Sequence, residues 1–442
     1  MSIIVSLDIG TSKICVLAYS LSDRIVLKSV SKDNNSLVRL LDKQYHEQSI
    51  PAILNIVFDS LKELLSGESV DAQSVSGVVV TGQMHGVLLV NGKFEPITNL
   101  ITWRDGRSFE IANAIGTKFA ASNGCGLRVG YGGATLAWLV QNQKLEAGFK
   151  ALTIADYVCA VLTGKIATEP THAASWGIYD LTKSQWNKET LNELSIPEEV
   201  LPVLCSTSEI LGEIVPCVAN EFGLNKQVKI YSSIGDNQAS VIGARGQNLD
   251  AAVLNLGTGG QISIPYNSVE SFDGFEVRPM LGNSYILVGA SLCGGWAYAY
   301  LKDFFKAVVR DFASLELDDT NVYEKMNSYL KSSSKTNLCV VPRFCGTRDN
   351  ANICGAITLI DTHNLNPSEI TIAFATSMVS ELGKMVPEKC YNVFSKVILS
   401  GNAVRKNHAI LKIAHKYFGK PVEMANLDKE AAVGAVLASI KD

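Results

Sequence analysis

The sequence predicts an α/β protein made of two similar units around one cleft, and three observations predict it. An apolar strand, an (Asp/Asn)-x-Gly-Thr turn and a second apolar strand occur twice, at residues 3–19 and again at residues 251–266. Between and after these hairpins, apolar strands alternate with helical periodicity, the pattern of a largely parallel sheet with crossover helices. The chain is 442 residues long, 47% apolar and 19% charged, so each half can bury a core of its own.

The elements follow in order. Residues 3–19 turn at Asp8-Ile9-Gly10-Thr11-Ser12-Lys13, and the apolar runs on either side predict a β-hairpin. Helical periodicity follows at 51–66. Gly77 to Val80 is a short buried strand ending in Thr81-Gly82-Gln83-Met84-His85-Gly86, and Val87 to Val90 is another, turned by Asn91-Gly92. Helices are predicted over 107–121, 133–148 and 154–163. Val228 to Ser233 reads as a strand, followed by Gly235-Asp236 and a helix from Asn237. The second hairpin turns at Asn255-Leu256-Gly257-Thr258-Gly259. Tyr285 to Val288 is a strand, Gly294-Gly295 a turn, and 296–314 a helix. A helix over 367–384, a strand from Lys396 to Ser400, Gly401-Asn402 and a helix over 406–418 complete the second unit. The units are expected at 1–247 and 248–442.

Composition excludes several classes. Lys plus Arg is 39 and Asp plus Glu is 43, a net charge of −4, which is not the basic excess of a nucleic-acid binder. The same small charge with a high apolar fraction excludes a disordered chain. The longest uncharged stretch, 279–301, is interrupted by Gly282, Gly289, Gly294 and Gly295 and reads as strand, turn and helix rather than a membrane span. The N-terminal run has no basic segment and ends at Asp8, so no signal peptide is expected. The ten cysteines include no CxxC pair, and none of the six histidines lies near a cysteine pair. Reduced thiols in a cytoplasmic protein without zinc are expected.

Five clusters carry possible chemistry. Gly-Thr turns expose backbone N–H groups, with no bulky Cβ to block a phosphate. Asp8, at the end of the first strand, either fixes its turn or holds Mg²⁺, directly or through water, beside such a phosphate. Asp236 is either the N-cap of its helix or a general base that the helix N-terminus keeps ionised. Gln83 and His85, between two glycines, offer donors and acceptors to hydroxyls, or form a tight turn. Trp103-Arg104-Asp105-Gly106-Arg107 offers an aromatic platform and charged partners suited to a polyol, or a surface turn with an ion pair. Gly294-Gly295 and Ser400-Gly401-Asn402, each between a strand and a helix, suit a nucleotide lying against bare backbone, or close helix–strand packing. No Walker A sequence and no GxGxxG after a strand is present, which argues against a P-loop enzyme or a Rossmann dehydrogenase.

Taken together, these residues resemble the FGGY carbohydrate kinases, a branch of the actin-like, ribonuclease-H-like ATPase fold, over nearly the whole chain. Asp156-Tyr157 with Leu162-Thr163-Gly164, Ala173 to Gly177 with Tyr179-Asp180 and Trp186, and Glu430 to Ala435 resemble further segments of that family. The resemblance implies two actin-like domains facing a central cleft and transfer of a phosphoryl group from ATP, with Mg²⁺, to a small sugar. Asp236 would be the catalytic base, with Asp8 beside it placing the metal. Gln83, Met84, His85, Trp103, Asp105 and Asn237 would hold the sugar. Gly10, Thr11, Ser12 and Lys13, with Gly257, Thr258 and Gly259, would hold the phosphates, and Gly295, Gly401, Asn402 and Asn407 the adenosine. Residues 101–107, 172–177 and 235–240 resemble the sedoheptulose branch more than the pentulose branch. A xylulose kinase is the alternative within the family.

The sequence departs from the family in three places. Lys13 comes early and Cys15 stands where the family's later basic residue would be, so the first hairpin also resembles a bacterial actin-like cell-division protein. That keeps a non-catalytic actin-like protein as an alternative of another class. Pro342 to Arg348 matches a family loop only loosely, and Lys441-Asp442 follow the closing helix without a family-style tail. Oligomeric state is not legible.

Overall fold

The computed structural model describes residues 2–142, 145, 148–270, 272–332, 336–347, 352–426 and 429–440. Arg348, Lys441 and Asp442, noted above, lie outside the described residues.

Two sheets share one plan. In the first, Ile3–Ile9 pairs antiparallel with Lys13–Ser20, which pairs antiparallel with Ile25–Asp33. On its other side Ile3–Ile9 lies parallel to Val75–Gly82, which lies parallel to Lys229–Tyr231. Ile210–Glu213 closes that edge. In the second sheet Ala251–Leu256 pairs antiparallel with Gly260–Tyr266, and that strand with Tyr285–Ser291. On the other side Ala251–Leu256 lies parallel to Lys396–Ser400, which lies parallel to Val422–Met424. One strand of its own, Phe275–Pro279, edges this sheet. The two Gly-Thr hairpins therefore open two copies of the same arrangement, as their sequence echo predicts.

Alternation along the strands decides what covers each face. Ile3, Val5, Leu7 and Ile9 enter a core with helices Ile50–Leu65, Ile154–Thr163 and Pro216–Phe222. Ile4 points the other way, with Leu17, Tyr19 and Val79, onto helices Asp236–Arg245 and Glu430–Ser439. The far side of helix Asp236–Arg245 presents Val241 and Ala244 to Ala251, Val253, Ile286, Val288 and Ile398 of the second sheet. That helix is therefore sandwiched between the sheets. Helices Gly295–Ala313, Pro367–Met385 and Ala409–Phe418 cover the outer face of the second sheet.

The layers meet where two glycines remove side chains. A Cβ on Gly434 would lie 1.8 Å from the Ala239 carbonyl oxygen, and one on Gly243 would lie 2.0 Å from that of Glu430. Gly434→Ala is expected to force these helices apart and lower stability by about 3 kcal/mol. Urea denaturation checks this, and an unchanged midpoint would contradict the packing.

Some predicted elements differ. The helix expected over 107–121 breaks at Gly116, which takes φ +51 and ends Phe109–Ile115, before the short helix Ala120–Asn123. The helix expected from 133 runs over Gly132–Asn142, and residues 143–144 and 146–147 lie outside the described residues. The helix expected from 406 begins at Ala409, after a separate turn of helix, Asn402–Lys406.

Candidate active site

Two carboxylates converge at the end of the first sheet. Asp8 pairs with Thr81, and Thr81 pairs on its other edge with Ile234. The next rung is Ile9, Gly82, Gly235, and Asp236 follows at once as the first residue of its helix. Asp8 shares the strand face of Ile4, the face that this helix covers. The N-cap position belongs to Gly235, and no side chain caps the helix, so the capping role considered for Asp236 is not the one it plays. The Gly235 N–H donates to Thr171 Oγ1 at 2.8 Å, which fixes the turn into the helix.

Burial pushes the Asp8 carboxyl up to about 8, and the nearby Asp236 adds to the rise. Burial also pushes Asp236 up, to about 6, against the pull of His172, the Asn237 N–H and Arg278. The helix N-terminus does not hold Asp236 low, yet at neutral pH it is largely ionised and can accept a proton, whereas Asp8 is largely protonated. Asp8 is a hard oxygen ligand of the kind that suits a divalent cation. Among the described residues no group of three or more His, Cys, Asp or Glu side chains could hold a metal. Mg²⁺ takes one or two carboxylates and draws its remaining ligands from phosphates and water, so a carboxylate such as Asp8 fits it.

Around this pair the structure knits three sequence-distant turns together. The Gly10 N–H donates to the Lys13 carbonyl at 2.9 Å and closes the first hairpin. Thr11 Oγ1 donates to Gln83 Oε1 at 3.0 Å and accepts from the Trp103 indole at 2.9 Å. Gln48 donates to the Thr11 carbonyl at 2.9 Å and accepts from Gln83 at 2.8 Å. Gln83 is buried in this knot and acts as a brace between hairpin and turn. Met84 is buried too, its sulfur against Gly235 just before Asp236. Asp105 is fully buried. Its oxygens accept from the His46 N–H at 2.7 Å and from Arg107 Nε at 2.7 Å, so it holds the loop that carries Trp103. Trp103 itself is 44% exposed, with the Arg104 guanidinium over its ring.

His85 is held at φ +71, an uncommon conformation for a non-glycine residue. Its N–H donates to Ser175 Oγ at 3.1 Å, and its Nδ1 sits 2.6 Å from the Ser175 carbonyl, which places the ring proton on Nδ1. The ring stacks on Tyr131 at 4.3 Å. Tyr131 donates to Glu276 at 2.5 Å, Glu276 accepts from Arg278 at 2.6 Å, and Arg278 donates to Asn237 Oδ1 at 3.1 Å. Glu276 and Arg278 belong to the edge strand of the second sheet, so both units build this side of the site. Sequence reasoning missed them, because nothing local to Glu276-Val277-Arg278 marks them. It also assigned no role to His172. That side chain is wholly buried with both ring nitrogens unpartnered, close enough to act on Asp236 and on the buried carboxylate of Glu169.

The second hairpin packs against a glycine loop. The Gly295 N–H donates to the Gly257 carbonyl at 2.8 Å, and the Gly294 and Trp296 N–H groups donate to the Thr258 carbonyl at 3.0 and 3.2 Å. A Cβ on Gly294 would lie 2.1 Å from the Gly259 oxygen. Gly401, at φ +93, packs on Asn255 and Leu256, where a Cβ would lie 2.6 Å from each. Asn402 is exposed at the start of its helix, and Asn407 is buried with its Nδ2 unpartnered. Ser12, Lys13 and Thr258 are exposed.

Residues 3–243 match the FGGY family of carbohydrate kinases, N-terminal domain. The chain is similar to mouse sedoheptulokinase, 28% identical over 431 residues that cover 90% of this chain and 87% of that one. It is also similar to the xylulose kinase of Staphylococcus xylosus, 23% identical over 99% of this chain and 90% of that one. Its fold matches the crystal structure of gluconate kinase from Lactobacillus acidophilus with a TM-score of 0.85, at 21% identity, covering 99% of this chain and 88% of that one.

Proposed function

The chain belongs to the FGGY family of carbohydrate kinases and is an ATP-dependent phosphotransferase acting on an alcohol group of a sugar; within that class we propose that it phosphorylates the terminal primary hydroxyl of sedoheptulose, giving sedoheptulose 7-phosphate. The observation that carries the mechanism is Asp236, a carboxylate at about 6 on the first residue of a helix wedged between the two sheets, with His172, the Asn237 N–H and Arg278 acting on it and with Asp236 itself acting on Asp8. Asp236 takes the proton of the attacking hydroxyl as its oxygen meets the γ-phosphorus. Arg278 and Asn237 hold that carboxylate's surroundings, and His85, Tyr131 and Trp103 orient the sugar. Backbone groups of the Gly10–Lys13 and Gly257–Gly259 turns hold the phosphates, while Gly295, Gly401, Asn402 and Asn407 take the adenosine. Asp8 would hold Mg²⁺, which when bound spreads the charge developing on the phosphate oxygens. Positioning and charge stabilisation of this kind carry most of phosphoryl transfer.

Two observations support the seven-carbon ketose: the similarity to sedoheptulokinases over most of both chains, and the motifs at 101–107, 172–177 and 235–240. A xylulose kinase is the second reading, favoured by the Staphylococcus xylosus enzyme, whose match covers 99% of this chain. The match to sugar kinases sets aside a non-catalytic actin-like protein, the alternative that the Gly-Thr-Ser-Lys hairpin left open. Steady-state kinetics with sedoheptulose, xylulose and ribulose separate the readings. The highest kcat/KM is expected with sedoheptulose, and a preference for xylulose would replace it with the second reading.

A further inference from the structure

Two of the ten cysteines lie on neighbouring loops in a place that the reaction does not use. Cys293 is buried between strand Tyr285–Ser291 and helix Gly295–Ala313, next to the glycine loop that holds the second hairpin. The Cys345 side chain and the backbone N–H groups of Phe344 and Cys345 lie close enough to act on the Cys293 thiol; Phe344 packs on Trp296 of the same glycine loop at 6.5 Å, and Leu292 lines one cavity with Arg343 and Gly346. Cys345 is exposed, in a turn closed by the Gly346 N–H on the Arg343 carbonyl at 3.1 Å. Phe344 anchors that turn by stacking on Phe374 at 5.7 Å and packing on Tyr300 at 5.2 Å. The two loops are thus held in register by contacts that do not involve sulfur.

We propose that Cys293 and Cys345 are an oxidation site, and that their disulfide clamps the glycine loop of the second hairpin and lowers turnover. The chemistry balances with a peroxide as oxidant. The exposed Cys345 sulfur attacks the O–O bond of hydrogen peroxide and becomes a sulfenic acid, releasing water. The Cys293 sulfur then attacks Cys345, the S–S bond forms, the S–O bond breaks, and a second water leaves. Burial pushes the Cys293 thiol up, which protects it from peroxide in solvent and leaves it to the second step, where the two N–H groups stabilise its thiolate. A closed disulfide fixes its two Cα atoms at about 4.4–6.8 Å. The Gly294, Gly295 and Trp296 N–H groups are already bonded to the carbonyls of Gly257 and Thr258, so a bond at Cys293 restrains that turn. The effect on turnover rests on the nucleotide role proposed for the turn; the bond itself does not.

The full-length protein, treated with hydrogen peroxide and then with N-ethylmaleimide, is digested and its linked peptides are identified by mass spectrometry. ADP release is measured before and after dithiothreitol. The expected result is a Cys293–Cys345 peptide and a several-fold, dithiothreitol-reversible loss of turnover, both absent from Cys345→Ser, which keeps its basal turnover. Oxidation of Cys345 with Cys293 still free, or linkage of Cys345 to the exposed Cys354, would overturn the pairing. A linked peptide with unchanged turnover would overturn the clamp. A reduced protein with no sugar-dependent ADP release would defeat the kinase reading, while the peptide map would still decide the pair.

Discussion

Asp236→Asn is expected to lower kcat by roughly 10²- to 10⁴-fold while the KM values for sugar and ATP stay within a few-fold of wild type. The substitution keeps the side chain's shape and removes its ability to accept a proton. Gly235 supplies the N-cap, so the helix does not depend on the Asp236 side chain for its start. The pH profile gives a second readout. Asp236 titrates at about 6, raised by burial against the pull of His172, the Asn237 N–H and Arg278. Below that pH the base carries its proton, so kcat/KM of the wild type falls on the acid side. The residual activity of the variant lacks that limb. Near-normal turnover in a folded variant would show that Asp236 is only the first residue of a helix.

Asp8→Asn is expected to be the next most damaging change, on the order of 10²-fold in turnover, because it removes the anionic ligand beside the phosphates. Its pH signature differs. The Asp8 carboxyl is raised to about 8 by burial and by Asp236, and Mg²⁺ needs it ionised. Metal binding therefore displaces a proton, and the apparent affinity for Mg-ATP should weaken as pH falls below about 8, by up to about tenfold per unit. Binding titrations of Mg-ATP between pH 6 and 9 check this. The wild type should show the slope and Asp8→Asn should not; equal slopes would remove Asp8 from the metal site.

What the sequence discloses here is local. Both hairpins follow from apolar runs on either side of a Gly-Thr turn, and Asp8 and Asp236 stand out because each ends a strand. Their convergence needs pairings across distant segments, Asp8 to Thr81 and Thr81 to Ile234, that no local pattern encodes. Asp105 and Gln83 look like sugar ligands in isolation. They are buried because Arg107, His46, Gln48 and Thr11 complete their hydrogen bonds from elsewhere in the chain. Glu276 and Arg278 are hidden for the converse reason: an edge strand of the second sheet becomes part of the site only once the two units pack. Helix Glu430–Ser439 is apolar all round, which signals burial but not that it lies on the first sheet rather than the second.

In the proposed reaction the γ-phosphate of ATP moves to a primary hydroxyl of a sugar. Proton-coupled ³¹P NMR of a reaction of the purified protein with ATP, Mg²⁺ and sedoheptulose tests it directly. A phosphomonoester signal split into a triplet by the two protons of a CH₂ group, growing as the γ-phosphate signal decays, is the result expected. Decay of the γ-phosphate into inorganic phosphate alone, or no decay in folded protein that binds ATP, would contradict it.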